Sequence, residues 1–145
     1  MMRRWMVCLV AVLLWPSVAS AQWAVGMGYQ YGGLLGGKYI YDLDEANKLN
    51  VALSPVGGAF GYQRNMDGDK GQHALGVSIG METMFQSDHG FAVATYNYYP
   101  AGFQKSSWTM GVDAGIYNAG PRCELYYCPD NKVGPALFFN LGYQF

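Results

Sequence analysis

Residues 137–145 read Leu-Phe-Phe-Asn-Leu-Gly-Tyr-Gln-Phe, and large apolar side chains fall on every second position. These odd-numbered residues are Leu137, Phe139, Leu141, Tyr143 and Phe145, and the residues between the last four are Asn140, Gly142 and Gln144. Successive side chains of a β-strand point to opposite faces. The alternation therefore predicts a strand with one large apolar face and one small or polar face.

The same period of two recurs back along the chain. From residue 23 the apolar face carries Trp23, Val25, Met27, Tyr29 and Tyr31. Turns rich in Gly, Pro and Asp interrupt the alternation, and helical periodicity is absent. The predicted strands lie near residues 23–31, 35–43, 49–54, 59–63, 74–82, 91–99, 108–117 and 135–145. The sixth strand carries aromatic residues on both parities, so its facing stays unassigned.

Composition indicates which face meets which environment. Hydrophobic residues make up 51 % of the 145-residue chain and charged residues only 13 %. Soluble strands usually display charged side chains outward, whereas here the second face is mostly Gly, Ala, Ser, Asn and Gln. Small side chains fill the interior of an eight-stranded barrel. The sequence predicts an all-β fold, an eight-stranded antiparallel up-and-down transmembrane β-barrel over residues 22–145. A soluble barrel is the alternative.

Residues 1–21 have the three parts of a secretory signal peptide. Arg3 and Arg4 form the positive region, residues 7–15 form an apolar core, and Ala-Ser-Ala at 19–21 is a small-residue cleavage site. The apolar core is shorter than the roughly 20 residues that a membrane-spanning helix needs. We therefore expect residues 1–21 to be cleaved and the chain to be exported.

The last strand also carries a family resemblance. Its alternating apolar residues ending in Phe145 resemble the C-terminal assembly signal of Gram-negative outer-membrane β-barrel proteins. The size is similar to the eight-stranded branch, of the outer-membrane protein A and X type. The resemblance implies an outer-membrane location, contact with outer-membrane lipid, and recognition of the final strand by the barrel-assembly machinery. It implies a structural or surface-interaction role, with the extracellular partner unknown.

Aromatic residues are available for the interface girdles of such a barrel. The residues expected in these girdles are Trp23, Tyr29, Tyr31, Tyr39, Tyr143 and Phe145.

Four charged residues fall inside the predicted strands, namely Lys38, Asp42, Glu82 and Asp113. A basic side chain facing lipid costs about 2–4 kcal/mol at the membrane midplane, so these charges are expected to face inward. We expect Lys38 to pair with Glu82 or Asp113 and to close the lumen with a polar network. An ion path is the alternative, although eight strands leave room only for side chains.

Cys123 and Cys128 lie in the longest predicted loop, residues 119–134. Export through an oxidising compartment favours a local disulfide between them. Free thiols are the alternative, because a metal site needs further thiolates or imidazoles nearby. With the N-terminus in the periplasm, eight strands place this loop on the cell exterior, where it is expected to carry any partner contact.

Enzymatic activity and nucleic-acid binding receive less support. Ser87, Asp88 and His89 include the residue types of a hydrolase triad, but neighbours in one turn cannot adopt its geometry. The net charge is −1 and no basic patch exists to neutralise phosphates. We expect no catalytic residue, no metal and no cofactor. A lipid A-modifying enzyme and a soluble periplasmic barrel that binds a small apolar ligand remain alternatives.

Overall fold

Eight strands in sequence order close into one antiparallel barrel. The computed structural model describes residues 21–68, 71–84, 87–119 and 132–145. The strands are β1 (Ala21–Gly28), β2 (Gly33–Asp42), β3 (Asn47–Ser54), β4 (Gly57–Asn65), β5 (His73–Met84), β6 (Ser87–Tyr98), β7 (Ser107–Ala119) and β8 (Lys132–Gln144). The predicted all-β, eight-stranded antiparallel barrel is confirmed.

The barrel has two unlike ends. The terminus end carries Ala21 and Phe145, and the far end carries the β1–β2 and β3–β4 connections at residues 29–32 and 55–56. Strands β1 to β4 contain 8 to 10 residues, whereas β5 to β8 contain 12 or 13. The wall is therefore higher at the far end on the β5–β8 side.

Alternation along the strands divides the side chains between lumen and outer face. In β5, Ala74 and Ser78 are buried, whereas Leu75, Val77 and Ile79 are exposed. The sixth strand follows the same rule: the inward side chains are Phe91, Val93, Thr95 and Asn97, and the outward ones include Ala92, Ala94 and Tyr96. Large apolar side chains thus cover the outside of the barrel, and smaller or polar ones fill most of the inside.

The first strand is shorter than its alternation predicts. It ends at Gly28, and a 3₁₀ turn, η1 (Tyr29–Tyr31), folds into the lumen. Gly28 has φ 124° and Gly32 has φ 81°, conformations that a side chain would disfavour. Tyr31 is fully buried. The outward placement of Tyr29 and Tyr31 predicted from the alternation is wrong, because the flanking glycines permit a turn that period-two alternation does not reveal.

Closure of the barrel is unequal on the two sides of β8. Its ladder with β7 runs through thirteen residue pairs, from Ser107 with Gln144 to Ala119 with Lys132. Its ladder with β1 has only four, from Ala24 with Gln144 to Met27 with Leu141. The barrel closes at the terminus end, where the Phe145 amide also donates to the Trp23 carbonyl at 2.7 Å.

In the described part of the chain, no helix is both long enough and apolar enough to cross a membrane.

Candidate functional site

A polar network occupies the middle of the lumen and centres on Gln30, which the η1 turn carries inward. Lys38 Nζ donates to Gln30 Oε1 at 2.8 Å, and Gln63 Nε2 donates to the same oxygen at 3.1 Å. Gln30 Nε2 donates to Asn97 Oδ1 at 3.0 Å. These three hydrogen bonds join the Gln30 side chain to strands β2, β4 and β6.

Asp113 on β7 is the acidic member of this network. Its Oδ1 accepts from Asn140 Nδ2 at 2.7 Å and from Gln30 Nε2 at 3.4 Å. Its Oδ2 accepts from the backbone amide of Gln30 at 3.4 Å. Gln30 thus links the Lys38 ammonium to the Asp113 carboxylate, and the network satisfies both buried charges with hydrogen bonds.

The four charges selected from the sequence separate into three places. Lys38 and Asp113 lie in the middle network, with exposed fractions of 1 % and 0 %. Asp42 lies at the terminus end, 3.7 Å from the Lys48 ammonium. Glu82 lies at the far end near Gly33, where a Cβ on that glycine would be 3.0 Å from its carboxylate.

Lys48 is a lumen charge that falls between the predicted strands at residues 35–43 and 49–54, so it is not one of the four charges selected from the sequence. It is fully buried on β3, inward like Asn50 and Ala52. Its parity with those two residues is the signal that could have identified it.

The terminus end of the lumen is closed by the turn that follows β6. Lys48 Nζ donates to the Phe103 carbonyl and lies 4.2 Å from the centre of the Phe103 ring. Tyr99 packs edge-on against Phe103 at 5.2 Å and donates its hydroxyl to Gln63 Oε1 at 2.9 Å. Burial raises the pKa of the Tyr99 hydroxyl far above its ordinary value, so it remains a donor. Through Tyr99, the turn that closes the terminus end is therefore hydrogen-bonded to the middle network.

Between Glu82 and the middle network, the lumen is lined by apolar side chains. The Tyr29 ring lies 4.9 Å from the Phe91 ring and 6.1 Å from the Phe138 ring. The cluster around them contains Ala52, Ala59, Phe91, Val93 and Ala136, with Tyr29 and Tyr117 packed against it. The lumen is therefore filled with an apolar layer, a polar layer and an aromatic closure, in that order from far end to terminus end.

The outer face carries its Trp and Tyr residues toward the terminus end. Trp23 packs edge-on against Tyr39, with 4.9 Å between the ring centres. Trp108 packs in the same way against Tyr143, with 5.4 Å between the ring centres. Tyr143 in turn contacts Phe145 at 5.1 Å. The five residues of the resemblance to the assembly signal all lie on this outer face: Leu137, Phe139, Leu141, Tyr143 and Phe145.

The described residues gather few groups for catalysis or metal binding. Among them, no three His, Cys, Asp or Glu side chains come together as a metal site. His73 Nδ1 lies 2.7 Å from the Tyr96 hydroxyl. The side chains of Ser87, Asp88 and His89 lie outside the description, as do Cys123, Cys128 and residues 1–20 of the proposed leader.

Comparison with known proteins found no match: no family model, no curated protein and no solved structure matches this chain. The geometry of the barrel is therefore the basis on which its function is argued.

Proposed function

We propose that this chain is an outer-membrane β-barrel with a structural or surface-interaction role, as its resemblance to the outer-membrane protein A and X type implies. The observation that carries the proposal is the apolar outer face. Large side chains such as Leu53, Phe60, Val77 and Phe139 are about half exposed or more around the wall. An exposed apolar area of this extent requires a partner, and for a closed barrel lipid is a suitable one.

The aromatic pairs of the outer face support the same proposal. Tyr and Trp rings are favoured at membrane interfaces, and here they form a belt at one end of the wall. Strands of 8 to 13 residues match the roughly 9 to 11 residues that a tilted strand needs to cross a bilayer. The filled lumen leaves contacts at the barrel surface as the natural mode of action.

Orientation follows from the proposed export route. Both termini then lie in the periplasm, and the aromatic belt lies at the periplasmic interface. The far end faces the exterior together with the connection between β7 and β8. A disulfide between Cys123 and Cys128 would constrain that connection, which we propose as the site of any extracellular contact.

A single charge on the outer face tests membrane insertion directly. Val77 is 57 % exposed in the middle of β5, and Met66 is 60 % exposed in the turn after β4. In lipid, Val77→Arg is expected to cost about 2–4 kcal/mol of unfolding free energy, and Met66→Arg about 0–1 kcal/mol. On a water-exposed surface each substitution would change the unfolding free energy by no more than about 0.5 kcal/mol. Equal and small effects in vesicles would contradict the proposal.

Fractionation and lipid analysis separate the other two functions. Recovery from the membrane pellet, with heat-modifiable gel mobility, is expected for the full-length precursor expressed in a Gram-negative host. Soluble periplasmic protein would instead support a barrel that binds a small apolar ligand. Mass spectrometry of lipid A, with and without the protein, is expected to show no change, and a new acylation state would support the lipid-modifying enzyme.

A further inference from the structure

One edge of β8 has no paired strand from Lys132 to Asn140. Beyond Leu141, no described residue of β1 pairs with it. Alternate amides of a strand point to opposite sides, and the Phe145 amide points to β1, so the Leu137 and Phe139 amides point the same way. Their side chains are 68 % and 76 % exposed. Pro135 lies on the same edge and has no amide hydrogen to leave unpaired.

The register of β1 against β8 identifies the segment that could fill this edge. Ala24 pairs with Gln144 and Met27 with Leu141, and two further steps would bring Tyr29 opposite Phe139. Two more would bring Tyr31 opposite Leu137. These tyrosines also continue the outward alternation of the strand. The period-two alternation thus fits a wall position, whereas the structure places the same residues in the lumen.

Glycines bracket the segment and allow it to move. Gly28, Gly32 and Gly33 have φ values of 124°, 81° and 131°. Glycine adopts these angles without steric cost and adopts extended angles equally well. Both positions of the segment are therefore open to the backbone.

We propose that residues 29–31 exchange between a plug position in the lumen and a wall position paired with β8. In the plug position Gln30 joins Lys38 to Asp113, and the β8 edge is open. In the wall position the Leu137 and Phe139 amides gain partners, and the middle network loses Gln30. The inference rests on the proposed function to this extent: lipid cannot hydrogen-bond an open strand edge, so the membrane favours the wall position.

Amide hydrogen exchange tests the exchange with tyrosines in place. A Cβ on Gly142 would overlap the Tyr31 hydroxyl of the plug position. We expect Gly142→Ala to shift the population toward the wall and to slow exchange at Leu137 and Phe139 by about tenfold. Phe138 and Asn140 are internal controls, since their amides point to β7 in both positions. Faster or unchanged exchange at Leu137 and Phe139 would overturn the proposal.

Disulfide trapping tests the register itself. In a Cys123→Ser, Cys128→Ser background, Tyr31→Cys with Leu137→Cys should form an intramolecular disulfide, because paired strand residues lie within its reach. In the plug position the two side chains lie on opposite sides of the wall. Tyr31→Cys with Val133→Cys is the matched control, since Val133 has the same strand and facing. We expect at least about tenfold more disulfide in the first pair.

The remaining outcomes decide against the proposal. A disulfide yield equal to the Val133 control would show that the segment stays in the lumen. A crosslinked dimer from Leu137→Cys alone would assign the edge to a second copy of the chain. All yields are measured on folded, heat-modifiable barrel in detergent, so they are independent of the Val77→Arg result that tests membrane insertion.

Discussion

The two edges of β8 differ more in the number of paired residues than the two edges of any other strand in the barrel. Thirteen residue pairs join β8 to β7, and four join it to β1. The β7 edge belongs to a hairpin of consecutive strands, whereas the β1 edge joins residues 114 to 120 positions apart. Contacts between distant residues require the costly closure of a long loop. The comparison shows that the barrel closes over a short segment of its last strand, close to Phe145.

The largest effect is expected from removing Phe145. Its amide bonds to Trp23 and its ring packs on Tyr143, so deletion shortens the weaker edge of β8 and removes the end of the proposed assembly signal. We expect membrane insertion to fall and degraded or aggregated protein to collect in the periplasm. Quantitative blotting of heat-modifiable protein measures this result.

Phe60→Ala is the control for this deletion, because it removes an outward aromatic side chain from β4 and leaves the pairing of β1 with β8 intact. Its folded yield should stay near that of the wild type. Normal insertion after the Phe145 deletion would show that the terminal pattern is not an assembly signal.

A smaller effect is expected at Asp113, which ties the β1 side of the barrel to β7 and β8. Asp113→Leu removes the acceptor of Asn140 and Gln30 and leaves Lys38 without its counter-charge. Unpaired buried groups of this kind cost about 3 kcal/mol of unfolding free energy. Urea unfolding in detergent measures the loss. Ser78→Ala removes one 3.4 Å hydrogen bond and should cost less than about 1 kcal/mol.

Two glycine substitutions test whether the β1 and β7 sides of the barrel are equally rigid. A Cβ on Gly111 would overlap the Tyr96 backbone carbonyl of the adjoining strand. A Cβ on Gly142 would overlap the hydroxyl at the end of the Tyr31 side chain. We expect Gly111→Ala to lower the unfolding free energy by about 2–3 kcal/mol and Gly142→Ala by about 1 kcal/mol. The Tyr31 ring can shift to make room for a methyl group, whereas the backbone of a paired strand cannot. Equal losses in thermal unfolding would show that the β1 side is as rigid as the β7 side.

The smallest effect is expected in the β2–β3 turn, away from both edges. Hydrogen bonds from Asn47 and from the Ala46 amide lower the pKa of the Asp44 carboxyl below its ordinary value of 3.8. A lowered folded-state pKa gives stability that is present above the ordinary pKa and is lost as the pH falls through the lowered one. Asp44→Asn should therefore flatten the pH dependence of thermal unfolding below about pH 4. An unchanged slope would contradict this assignment.

Local alternation, together with the turns between its runs, predicted the eight strands, and only the sixth was left without an assigned facing because both of its parities carry aromatics. Prediction from alternation needed no knowledge of any partner strand between Ala74 and Glu82. It was wrong where the same alternation ran into a turn, at Tyr29 and Tyr31, since period two does not report a change in backbone direction. It missed Lys48 because a charge beside an acidic turn resembles a turn residue, while its burial depends on Phe103, 55 positions away.

The number of strands, most of their facings and the inward placement of Lys38 and Asp113 could be predicted from the amino-acid order alone. These follow from the period of two, which is a property of neighbouring residues. Three features emerge only in the folded barrel: Gln30 stands between those two charges, Phe103 closes the terminus end, and β8 meets β1 over four pairs. Each of these depends on residues far apart in the chain, whose meeting is set by barrel closure and side-chain packing.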